Sequence, residues 1–146
     1  MPARPRVSEK LRRVVFARAG FRCEYCQSSE ALSASPFVAE HIVPLACGGR
    51  TSAENLACAC HGCNLLKADH QTGWDVVTHQ EVSLFDPRAD RWPEHFHWSS
   101  NGQEIIPFTS KGRATVHRLS LNRPGLRNLR RLMCLADKAF PFSGAE

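Results

Sequence analysis

The chain has 146 residues, 42% of them apolar, and 19 Lys/Arg against 14 Asp/Glu give a net charge of +5; that length suits one compact domain with an appended element. No apolar run approaches the roughly 20 residues needed to cross a bilayer, which argues against a membrane-spanning helix. The basic start is followed by no apolar h-region, and an odd count of seven cysteines is a poor disulfide scaffold, so the reading is a cytoplasmic protein whose thiols hold metal.

Charge is unevenly spread. Residues 1–22 carry seven Lys/Arg and one acid, residues 111–131 carry seven more and no acid, and residues 23–110 hold four basic and eleven acidic side chains. An acidic middle between two basic arms suits a reaction centre between phosphate-gripping segments, with Arg12 and Arg13 on the first arm and Arg127, Arg130 and Arg131 on the second; solvated helix faces would give the same pattern.

In chain order, residues 8–19 predict an amphipathic helix capped by Ser8 and stopped by Gly20. A Cys23-x-x-Cys26 turn and a small polar loop over residues 28–36 follow. Residues 37–43 predict a short strand ended by Pro44, and Gly48-Gly49 a turn or wide loop. Residues 55–59 predict a second strand, Cys60-x-x-Cys63 a second turn, and Asn64–Ala68 the start of a helix. Beyond Asp69 the pattern predicts strands over 82–85 and 103–106, a helix over 112–119, and a last helix opening near Asn122 and Pro124 and running to about Lys138. Trp74, Trp92, Phe96 and Trp98 read as packing residues. Three stretches result: a basic helix over 1–20, a core over 21–70, and an extension over 71–146 expected to belong to the same compact domain.

Each CxxC turn aims two sulfurs at one point, so Cys23, Cys26, Cys60 and Cys63 predict a closed, structural Cys₄ zinc site. The 33 residues between the pairs exceed a finger loop and require something folded inside. Cys58 could shift the ligand set by two positions, although on a strand it reads as a core residue; Cys47 and Cys134 have no partner at metal spacing. His61, inside the second turn, is an alternative ligand.

Between the cysteines lie Glu40, His41, Asn55 and Asn64. A carboxylate and an amide oxygen are hard ligands for magnesium or a similar ion, and a neutral imidazole can take a proton from water near pH 7. Adjacent strand residues face opposite ways, so His41 has to sit at a strand end to work beside Glu40.

The run Cys23-x-x-Cys26, Glu40-His41-Ile42-Val43-Pro44, Gly48-Gly49, Asn55-Leu56, Cys60-x-x-Cys63-Asn64 and Lys67 resembles the zinc-containing branch of the HNH endonuclease family, over about residues 21–69. The tail, with Phe85-Asp86-Pro87-Arg88, Asp90-Arg91-Trp92, residues 112–116 and Leu121-Asn122-Arg123-Pro124, resembles the extension of a compact bacterial subgroup. The resemblance implies an α+β fold: a ββα-metal (His-Me finger) core with a Cys₄ zinc site, an N-terminal helix and a strand-and-helix extension. It implies Glu40 and Asn64 on a catalytic Mg²⁺ or Mn²⁺, His41 as general base, Asn55 orienting that base and bracing its loop, and Lys67 placed to touch a phosphate. Glu in place of the commoner Asp and Asn64 in the third motif position make this an HNN variant. The expected activity is metal-dependent nicking of nucleic acid, DNA foremost, by a monomer or weak homodimer leaving 5′-phosphate and 3′-hydroxyl ends. Two rival readings are a zinc-stabilised nucleic-acid-binding module without catalysis and a zinc-stapled protein-interaction domain.

Overall fold

The structure, a computed structural model, describes residues 6–136 and 140. The expected end of the last helix near Lys138, and Arg4 of the basic arm, lie outside them. The chain divides into two compact units, Met1–Asp69 and His70–Glu146, and each holds its own mixture of helix and strand.

In the first unit the Ser8 hydroxyl accepts from Leu11 N at 3.1 Å and starts helix α1 (Glu9–Arg18), which buries Val15 and Phe16. Gly20, at φ +63°, supplies the left-handed turn that ends it. Strand β1 (Val38–His41) pairs antiparallel with β2 (Leu56–Ala59), setting Glu40 opposite Ala57 and His41 opposite Leu56. Both strands are shorter than the sequence pattern predicts. Pro44 turns the chain after His41, and beyond the ladder Ile42 N donates to Asn55 O at 3.0 Å. β2 is wholly buried. Helix α2 (His61–Lys67) opens three residues before Asn64, because the Cys60 sulfur accepts from Cys63 N and serves as its cap. Two α1 arginines tie this unit together: Arg12 donates to Phe37 O at 2.8 Å, and Arg18 to Ala53 O and Leu56 O at 3.0 and 2.8 Å.

Among its described residues the second unit holds two antiparallel hairpins and two α-helices. β3 (Thr72–Asp75) pairs with β4 (Gln80–Ser83), and β5 (Phe96–Trp98) with β6 (Ile105–Pro107); α3 (Ser110–Leu119) and α4 (Pro124–Ala136) follow. The pattern predicts β4 and β6 to within two or three residues but gives no sign of β3 or β5. Gly73 lets β3 run against α3, where a Cβ would stand 3.0 Å from Ala114 O. Asp75, fully buried, takes a two-point bond from Arg113 at 2.8 and 3.0 Å. Trp92 and Phe96 are packing residues, 5.0 Å apart between ring centroids. Trp74 is a correction: it sits on a two-stranded edge, 40% exposed.

Candidate metal centre and catalytic cleft

Two turns built for different reasons bring the four cysteines together. In the first, Gln27 adopts a left-handed φ of +66°, which reverses the chain so that Gln27 N donates to Cys23 O and Cys23 N to Ser28 O, both at 2.9 Å. In the second, the start of α2 presents Cys60 and Cys63 one turn apart. All four sulfurs are buried and lie within 4.8 Å of one another, with Cys26 and Cys60 at 3.7 Å. Tetrahedral zinc with bonds of about 2.3 Å needs sulfurs about 3.8 Å apart, close to the Cys26–Cys60 separation, so the cluster suits that ion. The charges agree. Neighbouring thiols, Cys23 foremost, pull Cys60 below its ordinary range, whereas burial pushes Cys23 well above it, so a cation is required before all four can be thiolates. Cys58 lies outside the cluster, buried in β2, with burial pushing its thiol up to about 12; it is a core residue, which settles the register of the ligand set. His61 is exposed at the start of α2 and also outside the cluster.

The candidate reaction groups lie around the end of β1. His41 is the last residue of that strand, and its Nε2 is 2.9 Å from the Thr51 hydroxyl. Glu40, His41, Asn64 and Asp69 line one cleft of about 420 Å³ together with Arg6, Val38 and Pro44. Asn55 braces the loop that follows. Its Oδ1 accepts from Val43 N at 2.9 Å, and its Nδ2 donates to Val43 O and Arg50 O at 3.0 and 2.8 Å, so one side chain closes the loop at both ends. Gly48 turns at φ +88°, and a Cβ on Gly49 would collide with the Val43 carbonyl; this is the physical reason for two successive glycines here. Thr51 is the member that sequence reasoning missed, since a lone threonine beyond a glycine pair carries no signal of its own.

Three of the expected site side chains are buried and engaged within the protein. Glu40, on the opposite face of β1 from His41, is only 4% exposed: its Oε2 accepts from the Tyr25 hydroxyl at 2.7 Å and its Oε1 from Lys67 at 2.5 Å. Burial, and then the Glu40 charge, push the Tyr25 phenol far above its ordinary range, which keeps it a neutral donor. Lys67 is 2% exposed and also donates to Ile42 O and His41 O at 2.9 and 3.3 Å, bonds that brace the end of β1. Arg130 is likewise 2% exposed, bonded to Leu121 O, Asn122 Oδ1 and Gln103 O. The remaining arginines differ in availability. Arg12 is half-buried, spent on Phe37 O and packed over the Phe16 ring. Arg13 and Arg131 are exposed, and Arg127 is exposed but paired with Glu104 at 3.2 Å.

Residues 23–70, about a third of the chain, match the family model described as HNH endonuclease, so this segment is similar to that family, for which nuclease activity and metal binding are implied. No curated protein and no solved structure matches the chain. No helix among the described residues is long and apolar enough to cross a membrane.

Proposed function

We propose that this chain, whose residues 23–70 match the HNH family, is a metal-dependent endonuclease of the ββα-metal type that nicks DNA with His41 as general base. The observation that supports this most is the placement of His41: it ends β1, its Nε2 rests on Thr51, and it lines the cleft that Asn64 shares. A neutral ring that donates its Nε2 proton to the Thr51 oxygen keeps its lone pair on Nδ1, and Nδ1 takes the proton from an attacking water. The Asn55 brace fixes the loop carrying Thr51, so it orients the base at one remove. The catalytic Mg²⁺ or Mn²⁺, when bound, stabilises charge on the phosphate and on the leaving 3′ oxygen. Glu40 and Asn64, which both line the cleft, would hold it, one through a carboxylate and the other through an amide oxygen. The zinc cysteines take no part in the chemistry; they hold β1, β2 and α2 in register. One such site in one chain gives a nick. Exposed Arg13 and Arg131, with Arg127, grip backbone phosphates and contribute affinity without sequence choice.

A second reading, a zinc-stabilised nucleic-acid-binding module that does not cut, draws on the commitment of Glu40 to Lys67. Supercoiled plasmid with Mg²⁺ or Mn²⁺ separates the two. Wild type is expected to relax it and His41→Ala, at equal zinc content, to leave it supercoiled while still binding DNA. Binding by both proteins with cleavage by neither establishes the second reading instead.

A further inference from the structure

Tyr25 stands between two cysteines of the metal cluster and reaches a residue of the cleft. Its side chain is 1% exposed, and its hydroxyl donates to Glu40 Oε2 at 2.7 Å. The turn that carries it is held firmly. Cys23 and Cys26 flank Tyr25 in the cluster. Glu24, between Cys23 and Tyr25, clamps the turn to β2: its N–H donates to Cys58 O and its Oε2 accepts from Cys58 N, both at 2.8 Å. Across the β1–β2 ladder Cys58 pairs with Ala39 and Ala57 with Glu40. The strand that anchors the turn is therefore the strand that fixes the Glu40 backbone.

A buried phenol needs an acceptor, and a backbone carbonyl would serve. Here the acceptor is a carboxylate that lines the cleft. The other oxygen of that carboxylate accepts from Lys67 at 2.5 Å, so one donor on each oxygen fixes the plane of the group. Each oxygen of an ionised carboxylate has two acceptor sites, and neither bond bars the group from holding a cation as well. Hydrogen-bonded partners of this kind orient a ligating carboxylate, and losing one costs about 10–100-fold in metal affinity. We infer that Tyr25 is a positioning residue for the Glu40 carboxylate, and that the first cysteine turn, by carrying its hydroxyl, links the structural metal site to the catalytic one. This rests on the nuclease reading, in which Glu40 and Asn64 hold the catalytic ion.

The test is Mn²⁺ binding to the zinc-loaded full-length chain without DNA, read from the electron paramagnetic resonance signal of free Mn²⁺, alongside plasmid nicking over a range of Mn²⁺ concentrations. Tyr25→Phe removes one oxygen and keeps the ring. At equal zinc content it should weaken Mn²⁺ binding by at least about tenfold, with nicking largely restored by excess Mn²⁺. Val15→Ala, a core change on α1, should bind Mn²⁺ within about twofold of wild type, which separates positioning from loss of stability. Tyr25 is the one tyrosine of the chain, so growth on 3-fluorotyrosine gives a single ¹⁹F resonance beside Glu40, and saturating Mg²⁺ should shift it. Wild-type Mn²⁺ affinity in a folded, zinc-replete Tyr25→Phe chain overturns the inference and leaves the nuclease reading standing. Equal weakening in Val15→Ala overturns it too. If Tyr25→Phe does not fold or loses zinc, the fluorine decides: a resonance unmoved by Mg²⁺ at concentrations that support nicking overturns the inference. A wild-type chain that neither binds Mn²⁺ nor nicks overturns the nuclease reading itself, and the inference falls with it.

Discussion

Lys67→Met is the substitution whose cost is best defined by the geometry. It keeps most of the side-chain bulk and removes one ammonium, so the loss is electrostatic and hydrogen-bonding in kind. The side chains of Lys67 and Glu40 are 2% and 3% exposed, so solvent screening gives no relief. Removing one member of such a pair costs about 3–5 kcal/mol; the two carbonyls left without their donor belong to the same loss and add little beyond it. A unit of 69 residues has only roughly 3–10 kcal/mol of stability to lose. At about 4–8 °C per kcal/mol for a domain of this size, the midpoint should fall by roughly 15–30 °C. The readout can be made specific. All three tryptophans lie in the second unit and all four clustered cysteines in the first, so zinc release to a chromogenic chelator follows the first unit and tryptophan fluorescence the second. Lys67→Met should bring zinc release to much lower temperature while the fluorescence transition moves far less, and adding Glu40→Gln should restore at least half of the loss. A fall of under about 1 kcal/mol in the single variant, the value of an exposed ion pair, would refute the assignment of this pair as a buried brace.

Three further outcomes follow from the same geometry. The purified chain should hold one zinc; Cys60→Ser should lose it and unfold the first unit, since structural zinc contributes on the order of 10 kcal/mol, whereas Cys58→Ala should keep full zinc content by elemental analysis. Asn55→Ala removes three hydrogen bonds from the loop beside His41, and Gly49→Ala drives a methyl into the Val43 carbonyl; both should lower the nicking rate at least about tenfold at unchanged zinc content, with DNA affinity little altered. The Arg113 guanidinium holds the Asp75 carboxyl far below the usual carboxylate range. Its contribution to the second unit is therefore complete at neutral pH and is lost as pH falls below the ordinary aspartate value, so tryptophan-monitored stability should decline in acid and Asp75→Asn should flatten that decline.

The sequence was most informative where spacing alone fixes geometry. Two CxxC turns can converge on little else than one metal, and the Ser8 cap, the Gly48-Gly49 turn and Pro124 act through backbone constraints that need no partner. The chemistry was legible as a set of residues but not as an arrangement. Glu40 and Lys67 look like solvent-facing polar groups until β1 and α2 face each other, because burial of a charged pair depends on contacts 27 residues apart. Arg130 misled in the same way: its periodicity on α4 is that of a basic face, but its partners are carbonyls in the preceding loops. β3 and β5 escaped because a strand of three or four residues, one containing a glycine, has too few positions to display alternation.

Along the first unit, residues that hold the fold and residues that face the cleft alternate: Cys23, Cys26, His41, Thr51, Asn55, Cys60, Cys63, Asn64 and Lys67. Interrupting the chain anywhere between 26 and 60 leaves a pair of sulfurs on each fragment and a complete site on neither. No shorter piece of the segment can therefore keep the cluster of four sulfurs, whereas changes at its two ends leave that cluster untouched.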